Sequence, residues 1–179
     1  MSEGIGARVL RKEDKRFITG KGRYTDDIVE ANQAYAAFVR SPHAHARIIA
    51  IDTSAAMAIE GVETVLMGPE LVADGIGNII CGWGVTSKDG SAMNMGAWSA
   101  LATDKVRYVG DAVAIVVADS KSIAKLAAEA VVVTYEELPV VVGSVQALAK
   151  GAPQLHDNAP GNLIFDWEIG DLAPTDAAL

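Results

Sequence analysis

The chain has 179 residues, half of them hydrophobic, and a formal net charge of −8 at pH 7. This length suits one domain with a substantial core, and an acidic balance argues against a nucleic-acid-binding protein, which concentrates positive charge on its surface. The single cysteine excludes an internal disulfide, and no apolar stretch approaches the roughly 18 residues that a membrane-spanning helix needs. The first four residues lack the basic and apolar regions of a signal peptide, so we expect a cytoplasmic protein.

The charge is distributed unevenly along the chain. Residues 1–23 contain seven of the fifteen Lys and Arg residues and three of the twenty-three acids, which gives +4 there and −12 in the remainder. Four glycines interrupt any period in residues 1–33, so we predict an extended basic N-terminal arm. Such charge runs are usually solvated or internally paired, although contact with an acidic partner surface remains an alternative.

The first half of the body predicts short alternating elements. The residue pattern indicates strands at Ala34–Arg40, Ala46–Asp52 and Val62–Met67, with the first of them buried. Thr53 and Ser54 can cap a short helix that runs to Ile59 and stops at Gly61, and Gly68-Pro69-Glu70 starts another that ends near Ala73.

The stretch Gly75–Ala100 shows no period. It contains six glycines together with Cys81, Trp83, Met93, Met95 and Trp98. A segment of this length without regular structure is unusual inside a compact domain and is often functional or covered by a partner. A mobile surface loop is the alternative, but two Trp and two Met residues favour partial burial, for which another domain is a candidate.

The region Val106–Pro139 predicts a strand–helix–strand unit in the core. Ala112–Ala118 is a continuous apolar run, Asp119-Ser120 supplies cap-type side chains, and apolar residues then recur at helical spacing before the β-branched run Val131–Thr134. A strand that is apolar on both faces is usually covered on both. The stretch Ala46–Met67 has the same element order. The pattern therefore predicts an α+β fold.

The last third of the chain predicts fewer elements. We expect a small edge strand at Val140–Val142, a helical turn or two at Ser144–Ala149, and a domain that spans residues 34–150. Residues 151–179 are interpreted as an exit segment, rich in Pro and Gly, with a short strand at Asn162–Trp167 and no regular element at its end.

Two kinds of candidate reactive side chain stand out. His43 and His45 are two residues apart, and in an extended loop both imidazoles can reach one metal ion. Hydrogen bonds to the backbone are the favoured alternative, because no further ligands stand at a recognisable spacing. Cys81 is interpreted as a small buried hydrophobe, with a catalytic thiol as the alternative that requires a nearby base.

Paired acids and a Gly-Asp step complete the candidates. Asp26-Asp27 and Glu136-Glu137 are adjacent, so their side chains point apart in an extended chain and make poor acid–base pairs. Gly110-Asp111 is interpreted as a bend that leads into the core strand. The sequence therefore predicts no catalytic, cofactor-binding or metal-binding residue in this chain.

Several ordered stretches carry a family resemblance that covers about residues 5–171. They read RKEDKRFITGKGRYTDDI, FVRSPHAHARIIAIDTSAA, GVETVLMG, DKVRYVGDAVAIVVADS, AAEAVVVTYEELPVVV and GAPQLHDNAPGNLIFDWEIGD. Together they resemble the N-terminal part of the large subunit of molybdenum hydroxylases. That family includes xanthine dehydrogenases, aldehyde oxidases and aerobic carbon monoxide dehydrogenases, and the resemblance is greatest to the last branch.

The resemblance implies a mixed-sheet α/β hammerhead domain and an oxidoreductase chemistry. In the family, a water-derived hydroxyl is transferred to a carbon centre at a molybdenum–pterin cofactor, and electrons leave through iron–sulfur clusters and FAD on partner subunits or other domains. The family's pterin-contacting loops and catalytic glutamate lie C-terminal to the matched region. We therefore expect a scaffold domain that is not catalytic alone and whose partners are the cofactor-binding remainder and the iron–sulfur and flavin subunits.

Two other functions remain open. One is a stand-alone binding or assembly module that lacks the catalytic half and uses the same exposed surfaces. The other is an independent small enzyme that uses Cys81 or the pair His43 and His45.

Overall fold

The computed structural model describes residues 4–5, 10–96 and 98–179. The chain divides into two compact units, residues 1–33 and 34–179. The first unit has a short helix, α1 (Asp14–Ile18), and a 3₁₀ turn at Thr25–Asp27. In it the ring of Phe17 stacks on that of Tyr24 at 5.5 Å between centroids.

Helix α1 corrects the expectation of an arm without regular structure. Arg11 pairs with Asp14 at 2.9 Å between Nη2 and Oδ1. The helix has Asp14 in its first turn and Lys15 and Arg16 in its last turn. Acids near the N-terminus and bases near the C-terminus both stabilise a helix through its dipole. The glycines that interrupt the period lie outside this one turn.

The second unit is built from two three-stranded sheets. Sheet A has the order β1-β5-β3 and sheet B the order β4-β2-β6. The strands are β1 (Tyr35–Arg40), β2 (Ala46–Asp52), β3 (Val62–Met67), β4 (Lys105–Val106), β5 (Ala112–Ala118) and β6 (Val132–Glu137). The helices are α2 (Ser54–Met57), α3 (Gly68–Ala73), α4 (Lys121–Ala130), α5 (Ser144–Ala147) and α6 (Leu172–Ala178).

The two strand–helix–strand units cross between the sheets in opposite directions. Helix α2 connects β2 of sheet B to β3 of sheet A, and α4 connects β5 of sheet A to β6 of sheet B. The crossovers therefore do not produce parallel neighbours, and each of the four strand pairings in the described residues is antiparallel. The α+β class is confirmed, and the expected mixed pairing within one sheet is replaced by two antiparallel sheets.

Strand β5 lies at the centre of the larger core. Its Ala114 and Val116 are fully buried and pack with Ala56 of α2 and Ala127 of α4. Small side chains on α4 let the helix approach the sheet closely. The hydroxyl of Ser120 accepts a hydrogen bond from the backbone N–H of Ile123 at 3.2 Å, which confirms the predicted cap.

A second core cluster lies near the start of β5, where Val106 and Val113 are fully buried with Ala46 and Ala102. The bend that leads into it is confirmed. Gly110 has φ of 91°, a left-handed conformation that favours glycine. The backbone of Ser41 brackets it, donating to Asp111 O at 2.9 Å and accepting from Gly110 N at 2.8 Å.

Three predictions about the strands are wrong. Val140–Val142 is not a strand, because the chain leaves sheet B after Leu138 N donates to His45 O. Asn162–Trp167 is not a strand either, because its hydrogen bonds to the long loop (Gly75–Ala100) are too irregular for a β-ladder. Strand β1 is an edge strand and only half-buried, because Phe38 points away from the core and is 48% exposed.

The final residues also differ from the expectation, because they form α6. Pro174 occupies the first turn of α6, where a missing N–H costs no helical hydrogen bond. Thr175 donates to Asp171 O through both its backbone N–H and its hydroxyl.

Candidate functional site

The long loop and the final segment (residues 151–179) are joined by two sets of hydrogen bonds. In the first set, Lys88 N donates to Asp166 O at 2.8 Å, and Asp166 N donates to the hydroxyl of Ser87 at 3.2 Å. The side chains of Lys88 and Asp166 also pair at 2.9 Å, which raises the pKa of Lys88. This first set connects the tip of the loop to the middle of the final segment.

The second set lies nearer the base of the loop. Asn94 N donates to Ile164 O at 2.8 Å, and its side-chain amide donates to Leu163 O at 3.1 Å. The side-chain amide of Asn158 donates to the carbonyl oxygen of Met95. The loop and the segment therefore form two walls that side-chain and backbone bonds hold at a fixed separation.

Between these walls lies an open apolar groove of about 1030 Å³. Its most exposed large side chains are Ile80, Trp83 and Trp98, at 88%, 71% and 62%. Trp83 and Trp167 meet edge to face across it, with ring centroids 5.9 Å apart. The lining residues are Asn78, Ile79, Ile80, Cys81, Trp83, Val85, Met93, Met95, Gly96, Trp98, His156, Asn158, Ile164, Phe165 and Trp167.

One end of the groove adjoins a small polar pocket of about 110 Å³. The two share Trp98 and His156, and the pocket adds Arg107, Tyr108 and Asp111. The Arg107 side chain is anchored to the backbone, because its Nε donates to Leu155 O at 3.0 Å and its Nη1 to Lys105 O at 3.2 Å. Its backbone N–H donates to the carboxylate of Asp111 at 3.0 Å.

The electrostatics of the polar pocket keep His156 in its neutral form. Burial lowers the pKa of His156, and the charges of Arg107 and Lys105 lower it further. Burial also raises the pKa of Tyr108, and the carboxylate of Asp111 adds to this rise. The ring of His156 lies against Gly96, where an added Cβ would be 2.5 Å from Nδ1. At neutral pH this end of the groove therefore presents an uncharged donor and acceptor.

The two histidines that the sequence suggests as metal ligands bond to different partners. His43 contacts Glu137 at 3.5 Å and packs against the ring of Tyr135. His45 is buried, and its Nδ1 bonds the carbonyl oxygen of Pro139 at 2.8 Å. The backbone-bonding interpretation holds for His45. Among the residues that the structure describes, no three His, Cys, Asp or Glu side chains are grouped to hold a metal ion.

The remaining candidate reactive residues also bond to partners of their own and do not form a common site. Cys81 is exposed, which corrects the interpretation as a buried hydrophobe, and its thiol donates to Trp83 O at 3.2 Å. Glu136 pairs with Arg47 while Glu137 faces His43, so the adjacent acids do point apart. The carboxylate of Asp27 accepts from Tyr24 N at 2.9 Å. The site offers apolar contact area in place of a paired nucleophile and base.

The second wall of the groove was not predicted from the sequence. The residue pattern indicates the long loop, but not that the same surface is completed by His156, Ile164, Phe165 and Trp167. The signal that could have found them is the apolar and aromatic run in PGNLIFDW, which is out of place in a segment rich in Pro and Gly.

In the described part of the chain, no helix has the length and apolar character needed to cross a membrane.

A family model provides the comparison that decides the assignment. Residues 19–139 match the model described as aldehyde oxidase and xanthine dehydrogenase, a/b hammerhead domain. The chain belongs to this family. The matched region includes all six strands and α2 to α4, together with the long loop.

This chain is similar to parts of much longer proteins. It is 39% identical to the carbon monoxide dehydrogenase large chain of Hydrogenophaga pseudoflava, an alignment that covers 97% of this chain and 22% of that protein. It is 36% identical to the xanthine dehydrogenase molybdenum-binding subunit of Escherichia coli O157:H7, covering 82% and 19%. The chain therefore spans about a fifth of the length of these relatives.

Solved structures show the same relation. Quinoline 2-oxidoreductase from Pseudomonas putida 86 superposes with a TM-score of 0.72 at 41% identity, covering 86% of this chain and 19% of that one. A Cu,Mo-CO dehydrogenase superposes with a TM-score of 0.73 at 36% identity, covering 97% and 22%. The fold of this chain is thus shared with parts of much longer chains, one of which is a Cu,Mo-CO dehydrogenase.

Proposed function

We propose that this chain is the scaffold domain of the large subunit of a molybdenum-dependent hydroxylase. The observation that carries the proposal is the alignment of 97% of the chain with only 22% of a carbon monoxide dehydrogenase large chain. The domain holds its part of the subunit in place, and the chemistry belongs to the rest. Such an enzyme is an oxidoreductase that hydroxylates a carbon centre with oxygen from water.

The internal organisation of the chain supports a scaffold. Two antiparallel sheets and α4 enclose two clusters of buried apolar side chains. In contrast, the groove leaves large apolar side chains exposed. We assign residues 1–33 as a basic arm, 34–150 as the hammerhead domain and 151–179 as the exit segment toward the cofactor-binding part. The iron–sulfur and flavin subunits complete the assembly, which we place in the cytoplasm without nucleic acid.

In the part of the chain that the structure describes, we found no support for a metal site. The described residues bring no three ligand-type side chains together, and the thiol of Cys81 is bonded to a backbone carbonyl. We therefore assign no catalytic step to this chain and place the molybdenum–pterin cofactor in the remainder of the enzyme. The assignment of no site residue remains a prediction.

Purification of the native protein tests the proposal. An antibody raised against the 179-residue chain retrieves the protein that contains it from its source cells, and the metal content, flavin and polypeptide length are then measured. We expect molybdenum, iron and FAD in a polypeptide or complex several times longer than this chain, recovered from the soluble cytoplasmic fraction. The 179-residue chain produced alone serves as the control and should contain no molybdenum.

The opposite result identifies the alternative function. A native polypeptide of 179 residues that carries no molybdenum, alone or in complex, would contradict the proposal and would indicate a stand-alone binding module.

A further inference from the structure

We infer that the apolar groove is the surface on which the cofactor-binding remainder of the large subunit docks. The inference rests on the proposed function and adds where on this domain the contact lies and what chemistry it requires. The occupant is an apolar segment of that remainder, with an uncharged hydrogen-bonding group at the end that meets His156.

The groove exposes a large amount of apolar surface. Monomeric proteins rarely leave contiguous large apolar side chains open to water, and such patches mark interfaces. Here Ile80, Trp83 and Trp98 are each more than half exposed, whereas the side chains of Val113 and Val116 in the core are fully buried. Trp is among the residues that contribute most to protein interfaces. The groove therefore has the composition of an interface core.

The groove is larger and more open than a typical small-molecule site. Small-molecule sites usually enclose roughly 300–1000 Å³ and surround most of the ligand. This groove has about 1030 Å³ and is open along its length, with irregular backbone on both walls. A small molecule would leave much of the tryptophan surface in water. A polypeptide segment matches the extended shape better.

The position of the groove along the chain favours one occupant. One wall is formed by the final segment, and Trp167 lies only a few residues before α6. In the Hydrogenophaga relative, the aligned region is 22% of the protein, so most of that polypeptide lies outside the matched part. A chain joined beyond α6 would be tethered to the groove wall through the short stretch that follows Trp167, and would therefore meet the groove at a high effective concentration. The remainder of the same subunit is therefore favoured over a separate partner.

The polar end of the groove defines the chemistry of the occupant further. The ammonium group of Lys105 is bonded to Asp157 at 3.0 Å, and the guanidinium of Arg107 lies 3.8 Å from the carboxylate of Asp104, so both positive groups are already balanced. Neutral His156 can donate or accept one hydrogen bond there. A charged side chain would gain little from this balanced site and would lose its hydration. An amide or a hydroxyl fits.

Cys81 provides a built-in probe of the groove. It is the one cysteine of the chain, it is exposed, and it lies on the groove wall. The test compares the rate at which iodoacetamide alkylates Cys81 in the isolated chain and in the native, antibody-purified protein, read by mass spectrometry of the Cys81 peptide. We expect rapid alkylation of the isolated chain and a rate at least about tenfold lower in the native protein.

A matched pair of variants separates the groove from other surfaces. Trp83→Ser removes a groove side chain, whereas Leu126→Ser removes a comparably exposed one on the outer face of α4. Both are introduced into the complete gene. Trp83→Ser should restore most of the Cys81 reactivity and increase susceptibility to limited proteolysis, and Leu126→Ser should leave both at the wild-type level.

Each other outcome overturns the inference in a distinguishable way. If the native protein contains molybdenum but Cys81 reacts as fast as in the isolated chain, the docking surface is wrong and the proposed function stands. If the isolated chain dimerises and thereby protects Cys81, the occupant is a second copy. If the native protein is the 179-residue chain without molybdenum, the proposed function fails and the inference fails with it. Slow alkylation of a monomeric isolated chain would show that the groove is closed.

Discussion

Two regions of the second unit differ in how they place their apolar side chains: the region around β5 and α4 buries them, whereas the groove leaves them exposed. Around β5 and α4 the buried side chains are small, mostly Ala and Val, and backbone groups pair in regular ladders. Around the groove, the largest side chains are the three tryptophans of the chain, and they stay exposed. The backbone there is held by scattered hydrogen bonds that involve Asn94, Asn158 and Ser87.

The contrast separates what the chain stabilises by itself from what it presents to others. Close packing in the core contributes stability in proportion to the apolar area removed from water. The same large side chains in the groove contribute little to the isolated chain, because water still covers them. Substitutions in the two regions should therefore affect different properties, folding in one case and association in the other.

The largest expected effect compares the core with the groove directly. Val116→Ala removes two methyl groups from a fully buried position and should lower the free energy of unfolding of the isolated chain by about 2–3 kcal/mol. Trp83→Ala, at a position 71% exposed, should change it by less than about 0.5 kcal/mol. Urea denaturation measures both. Equal losses would show that the groove is part of the folding core.

The next comparison uses two glycines. Gly68 lies against the backbone of the segment before β4, and an added Cβ would be 2.9 Å from Leu101 O and closer still to Ala102 O. Because backbone cannot move aside easily, Gly68→Ala should cost about 1–3 kcal/mol. Gly77→Ala, in the long loop, meets nothing within 4 Å and should be nearly neutral. Thermal melting distinguishes them, and a neutral Gly68→Ala would contradict the packing described for α3.

A smaller effect is expected at the start of α4. Ser120→Ala removes the hydroxyl that accepts from Ile123 N and should lower stability by about 1 kcal/mol. Ser120→Asp keeps an acceptor at the cap and should recover most of the loss. If both variants lose the same amount, the hydroxyl does not act as the cap.

The smallest effect concerns pH and the polar end of the groove. Because the pKa of His156 is lowered below its usual 6.5 in the folded chain, the unfolded chain binds a proton first as the pH falls. The contribution of His156 to stability is therefore fully present above about pH 6.5 and declines as the pH falls below that value. His156→Gln should make stability less dependent on pH between about 5 and 7, measured by urea denaturation. An unchanged pH dependence would show that His156 is not held in its neutral form.

The sequence predicts the core better than the groove, for a physical reason. The bounds of β2, β3 and β5 follow from their local apolar pattern, and the structure confirms all three. Ser120 and Gly110 are likewise identified by local backbone requirements. The resemblance in the ordered motifs is confirmed by the family model over residues 19–139.

What the sequence does not reveal depends on contacts between distant residues. The pairing of Lys88 with Asp166 joins positions far apart in the chain, and no local pattern indicates it. The exposure of Cys81 follows from the open groove, whereas buried cysteine is the more usual case. The assignment of β5 and β6 to different sheets also requires the three-dimensional path of α4.

Hydrogen–deuterium exchange tests the central claim most directly, because it reports both regions in one measurement. It compares the isolated chain with the native protein that contains it. We predict strong and equal protection of β5 and α4 in both, and protection of residues 78–98 and 156–167 only in the native protein. Equal exchange of those two segments in both samples would contradict the account, because the groove would then have no partner to complete it.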